Sequence, residues 1–256
     1  MIKSKMNEIN GFKQSRISPE HYFRWRRKRA LACVEKISNR INLIDKRALD
    51  IGCGCGALSY ALLEKGTQVW ATEIDSDKLK FAQDKLAKNK YFNSVLVKNE
   101  RLPYDDCFFD IVFIFDVIEH MKNPAKMIQE ALRVLKSGGY LYVEFTPYYS
   151  ITGHHLYDFA KWPIHLLPKE KVKKIVFSKK IKGFMTAEYY WRQFESLNKL
   201  RINQFQQMVK KFQKIEERYL IKYPEKFEIN IPIINYLGPL KDYFTMSFEG
   251  LYQKLK

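Results

Sequence analysis

A chain of 256 residues with 46% apolar and 15% aromatic residues can bury a sizeable core, which excludes a disordered chain and a disulfide-stapled miniprotein. Its net charge of +17 is unevenly spread: residues 1–48 carry 13 Lys and Arg against 4 Asp and Glu, residues 161–226 carry 17 against 6, and residues 49–160 carry 12 against 15. Basic flanks around a mildly acidic centre suit a phosphorylated substrate, an RNA or an anionic membrane, with a lysine-rich solvated face as the plain alternative.

The N-terminal stretch MIKSKMNEINGFKQ lacks the apolar segment of a signal peptide, and no apolar run nears the roughly 20 residues of a membrane span. A cytoplasmic protein is therefore expected. Ser18, Pro19 and Glu20 read as the cap, first-turn proline and first-turn acid of a helix. Phe23, Ala30, Leu31, Val34 and Ile37 share one side of it, yet Arg26, Arg27, Lys28 and Arg29 are consecutive and go almost once around the axis. At least one must point at the protein body, which hints at an internal anion site. Residues 1–45 thus form a basic helical segment.

From residue 46 to 149, short apolar runs (RALDIG, TQVWATEI, NSVLVKN, FDIVFIFD, YLYVEFTP) alternate with helical patterns. Such alternation marks a parallel sheet covered on both faces. Residues 150–240 break it and read as a helical lid, with a long helix expected over 185–223; residues 241–256 read as a closing strand of the core.

The chemistry sits in LDIGCGCG. Gly52, Gly54 and Gly56 follow the first strand, where ligands of doubly wound sheets bind and where a side chain would hold the backbone away from them. The spacing is not the G-x-G-x-x-G of a pyrophosphate site. Asp50 at the strand end would repel a pyrophosphate and attract an ammonium or sulfonium, which suggests S-adenosylmethionine. Glu73 at the end of the second strand is placed to accept hydrogen bonds from both ribose hydroxyls, with a capping role as the alternative.

Together, LDIGCGCG, ATEIDSDKL, RLPYDDCFFDIVFIFDVIEH and RVLKSGGYLYVEF resemble the class I S-adenosylmethionine-dependent methyltransferases, in particular their type 11 and ubiquinone-biosynthesis-like branch. The resemblance implies a Rossmann-like, doubly wound, seven-stranded and mostly parallel sheet with helices on both faces. It places the cofactor's methionine part on Asp50, Gly52, Gly54 and Gly56, its ribose on Glu73, and its amino-acid end near Phe115 and Asp116. Lys98 stands where the family often has an acid that reads the adenine amino group, and Asn99 or Glu100 is the substitute. Glu119 and His120 match a usual pair of the family, and His120 is read first as structural.

A base is needed only for a weakly acidic acceptor such as a hydroxyl. His154, His155, Asp158 and His165, just past the fifth strand, are the candidates, as a cluster lining the acceptor pocket. No metal site is expected: Cys33, Cys53, Cys55 and Cys107 lack paired spacing, and adjacent His154 and His155 point to opposite sides of an extended segment. The expected reaction is methyl transfer to oxygen on a small or lipid-linked, anionic acceptor. An RNA methyltransferase using the basic flanks is the runner-up, and a non-catalytic S-adenosylmethionine-binding protein is the reading from another class. Peripheral membrane contact through the helix at 185–223, carrying Tyr189, Tyr190, Trp191 and Phe194 among its lysines, is compatible with either enzyme. The oligomeric state is not legible.

Overall fold

The computed structural model describes residues 17–99, 101–156, 159–160, 162–179, 183–223 and 227–255. Helix α1 (Pro19–Ser38) begins as the sequence predicts, with the Ser18 side chain accepting from the His21 amide. It buries Phe23, Ala30, Cys33, Val34 and Ile37, while Leu31 turns outward. The alternating unit follows: β1 (Arg47–Ile51), α2 (Ala57–Glu64), β2 (Gln68–Glu73), α3 (Ser76–Leu86), β3 (Phe92–Leu96), β4 (Phe109–Phe115), a 3-10 turn at Ile118–His120, α4 (Pro124–Val134) and β5 (Leu135–Phe145).

These five strands are parallel, and the order β3-β2-β1-β4-β5 reverses direction between β1 and β4. That reversal opens a crevice outside the carboxyl ends of β1 and β4. One face of the sheet is covered by α1 and α2 through Val34, Leu58 and Leu62 against Val69, Ile111 and Phe113. The other is covered by α4 and residues of the later chain, with Ile128 and Phe205 against Val112, Val143 and Phe145.

Past β5 come α5 (Lys169–Ser178), α6 (Ala187–Glu195), α7 (Ile202–Met208), β6 (Phe212–Tyr223), β7 (Phe227–Asn230), a 3-10 segment (Pro232–Leu240), α8 (Lys241–Phe244) and β8 (Ser247–Lys254). β8 inserts antiparallel between β5 and β6, and β7 pairs with β6. Two expectations are corrected. The sheet has eight strands among the described residues, not seven. The long helix expected over 185–223 is instead α6, α7 and β6, so the sheet takes in part of the segment read as a helical lid. Only the first part of that segment is lid-like, with its own core of Leu156, Phe159, Ile164, Val172, Trp191 and Phe194.

The aromatic seam of Phe145, Phe205, Tyr219 and Phe248, with ring centroids 5.3–5.7 Å apart, locks the antiparallel strands to the parallel half. Phe248 is fully buried in it. Phe248→Ala should lower unfolding free energy by about 3–5 kcal/mol, read as a reduced urea midpoint with an unchanged slope.

Candidate functional site

The glycine loop leaves β1 in left-handed backbone, with φ of +71° at Gly52, +54° at Gly54 and +77° at Gly56. A Cβ on Gly52 would lie 2.5 Å from Val117, and one on Gly56 2.9 Å from Ala82, so these two glycines permit close packing. Gly54 has open space before it, as required of the residue over which a ligand lies. Glu73 closes the loop: one carboxylate oxygen accepts the Gly54 amide at 2.7 Å, and the other accepts from Ile74 and Asp75 at 2.8 and 3.1 Å. Asp50 is buried and accepts from the Ser59 hydroxyl at 2.7 Å. Burial pushes its carboxyl up to about 6, with Glu73 adding to the effect and Ser59 and Arg26 opposing it. The charge balance of the loop therefore favours a cationic group. The expected cofactor residues Asp50, Gly52, Gly54, Gly56 and Glu73 converge, and the loop geometry fits a ribose and an ammonium or sulfonium.

The hinted anion site is an internal one. Arg26 and Arg29 both donate to one Asp116 oxygen at 2.6 Å, and Arg29 also reaches Glu144 at 2.6 Å. Both guanidinium groups lie over Phe115, 5.1 and 5.3 Å from the ring centroid. Arg27 goes the other way, over Tyr60. Asp116 itself adopts φ +56°, which turns its carboxylate from the end of β4 toward α1. Asn99 is exposed and its side chain accepts from the Arg101 amide, closing its own turn. Glu100 and Asp158 lie outside the described residues.

The histidine cluster divides. His154 and His165 are buried inside the lid core with rings stacked 5.5 Å apart, and burial pulls both down to about 4. They pack the lid and do not line an open pocket, which corrects the expectation of a shared catalytic cluster. His155, at φ +53°, sits in a left-handed turn and not on the extended segment expected from sequence, and its side chain lies apart from that of His154, beside Glu119 and His120. The Glu119 and His120 side chains meet His155, and one donor atom from each lies within 4.8 Å of the others. His155 Nε2 is 3.8 Å from a Glu119 oxygen, and the second Glu119 oxygen has no hydrogen-bond partner. Two imidazoles and a carboxylate are a donor set for a borderline divalent cation such as Zn, Mn or Fe. The signal in the sequence was D-V-I-E-H, which brings Asp116, Glu119 and His120 to one turn.

Burial pulls His120 down to about 4 and His155 to about 3. Burial pushes Glu119 up to about 8, and Asp116 reinforces this. The lid supports this turn from outside: the Asn198 side chain donates to the carbonyls of Ile118 and Met121, its amide donates to Glu119, and Ser196 bonds His120 Nδ1 at 2.7 Å.

Residues 49–143 match the family model described as a methyltransferase domain. The chain is 29% identical over 143 residues to the ubiquinone biosynthesis O-methyltransferase of Marinobacter nauticus, covering 52% of this chain and 58% of that one. It is 31% identical to the enzyme of the same name from Coxiella burnetii, covering 53% and 58%. The chain thus spans less than two-thirds of the length of these relatives. Among solved structures it resembles a SAM-dependent methyltransferase of Thermotoga maritima (TM-score 0.57, 17% identity, 88% and 87% of the two chains). A second is one from Methanosarcina mazei (0.56, 19%, 86% and 97%). The [4+2]-cyclase SpnF is equally similar (0.58, 16%, 88% and 80%), so this likeness speaks for the fold alone.

The raised Glu119 carboxyl has a thermodynamic signature. The folded state holds its proton from the ordinary carboxylate range up to about 8 while the unfolded chain does not, so stability falls as pH rises through that window. The buried histidines act oppositely but only below their ordinary value near 6.5. From about pH 6.5 to 8, wild type should lose up to about 1.4 kcal/mol per pH unit that Glu119→Gln does not, by urea melts at each pH.

Proposed function

From the premise that this chain carries a methyltransferase domain over residues 49–143, we propose that it transfers a methyl group from S-adenosylmethionine to oxygen on a small or lipid-linked acceptor. The observation that carries this reading is the closed Asp50–Gly54–Glu73 loop with open space over Gly54. The bound cofactor supplies an activated methyl group, so the protein has to align the acceptor and exclude water. Glu73 holds the ribose hydroxyls, Asp50 faces the positive end, and Arg26 stands where an amino-acid carboxylate could exchange with Asp116.

Oxygen as the acceptor atom is favoured by the second cluster. A hydroxyl must lose its proton in the transfer, and burial keeps the His120 and His155 imidazoles neutral, in the form that can accept a hydrogen bond from it or ligate a cation. A divalent cation between Glu119, His120 and His155 would lower a hydroxyl's pKa and orient it. This moves the catalytic assignment from His154 and His165 to His155, with Glu119 and His120. The names of the curated relatives support an O-methyl transfer.

Glu73→Ala should weaken S-adenosylmethionine binding by about 1–3 kcal/mol in calorimetry, and unchanged affinity would remove its ribose role. His155→Ala should spare cofactor binding and lower turnover about 100-fold, the scale of loss when a group that orients the acceptor is removed. To find the acceptor, methyl-labelled cofactor is incubated with a cell extract split into RNA, protein, lipid and small-molecule fractions. Label in lipid or small molecules fits the proposal, label in RNA makes the basic flanks the substrate platform, and binding without label leaves a non-catalytic cofactor-binding protein.

A further inference from the structure

Between Pro232 and Phe244 the usual sorting of side chains is inverted. Ile233, Tyr236, Leu237, Leu240, Tyr243 and Phe244 are 69, 85, 41, 56, 43 and 53% exposed. The two charged residues of the segment, Lys241 and Asp242, are instead 4 and 1% exposed. Lys241 donates inward to Gln206 at 2.7 Å, and Asp242 accepts from the Ile202 amide at 2.8 Å. In a chain of net charge +17, this 13-residue segment turns six apolar side chains and no charged one outward, the kind of patch that marks an interaction surface.

Its place in the fold says which end it serves. β8 begins just after this segment and pairs Phe248 with Phe145, at the carboxyl end of β5. Tyr243 lies 6.0 Å from the ring of Tyr149, and the Thr152 hydroxyl donates to Met246. The apolar face is therefore at the same end of the sheet as the glycine loop and the Glu119 cluster. Arg201, stacked 3.9 Å over Tyr149 and 3.5 Å from Asp242, borders it.

Two occupants suit an apolar face, a second copy or a lipid bilayer. Charge separates them: two chains of +17 repel one another, whereas an anionic leaflet attracts basic residues that flank inserted apolar tips. We propose that Pro232–Phe244 docks the protein on an anionic bilayer, with aromatic tips at headgroup level and the cofactor end of the sheet toward the lipid. The inference deepens the lipid-linked acceptor reading and takes its purpose from it. It also moves membrane contact from the 185–223 helix expected from sequence, which does not form, to a different surface.

The test is flotation of the full chain with phosphatidylcholine vesicles, pure or containing about one-third phosphatidylglycerol. Wild type should float with the anionic vesicles, and both high salt and the double variant Tyr236→Asp, Leu240→Asp should reduce bound protein about tenfold or more. Circular dichroism melting checks the fold of the variant; if the double variant melts early, Ile233→Asp alone decides. Wild type that stays in solution, or variants that float as well as wild type, overturn the proposal. So does a dimer in light scattering that the variants dissociate, because the face is then covered by a second copy. Cofactor affinity measured without vesicles keeps the two readings apart: its absence sinks methyl transfer and leaves the docking result standing, and failed flotation does the reverse.

Discussion

The carboxyl end of the sheet gathers acidic groups that water cannot screen, and two arginines of α1 hold that arrangement together. Asp50, Glu73, Glu119 and Glu144 are all buried there, and Asp116 sits among them. Isolated buried carboxylates are costly. Arg26 and Arg29 meet Asp116 and Glu144 directly, Ser59 serves Asp50, and backbone amides serve Glu73, while Glu119 is left to hold a proton. The basic helix is thus part of the crevice. Removing Arg29 would take a charged partner from two buried carboxylates at once, whereas removing Arg26 leaves Arg29 on Asp116.

That division of labour leaves two polar centres with different characters. At the glycine loop the carboxylates are hydrogen-bonded to a hydroxyl and backbone amides, a setting suited to a positive ligand. At the turn after β4 the carboxyl and both imidazoles are neutral by desolvation, suited to exchanging a proton or coordinating a cation. The turn at residues 116–120 puts Asp116 and Glu119 between the two centres.

Most of the parallel half was legible because its signals are local. Strand alternation, Asp50, the three glycines and Glu73 each declare themselves within a few residues. β6 was not, for a physical reason. Phe212, Ile215, Tyr219 and Leu220 fall at helical spacing, and the register shift between Lys214 and Glu216 breaks the two-residue alternation that would have marked a strand. The acid and histidine cluster was hidden differently: Glu119 and His155 are 36 positions apart, and only the packed lid brings them together. His154 and His155 are neighbours in sequence with different environments, and it is a left-handed turn at His155, not an extended segment, that separates them.

The placement of β8 has a consequence for how the molecule assembles. It comes after β6 and β7 in sequence yet lies between β5 and β6 in the sheet. During synthesis the parallel half can form with β5 as a bare edge, and β6 with β7 as a detached hairpin, until residues 247–254 emerge to join them. For that interval both edges present unpaired amides and carbonyls to any neighbouring strand. A nascent chain of this fold is therefore a natural client for a ribosome-associated chaperone, and a stall upstream of β8 would favour aggregation over a partly working enzyme.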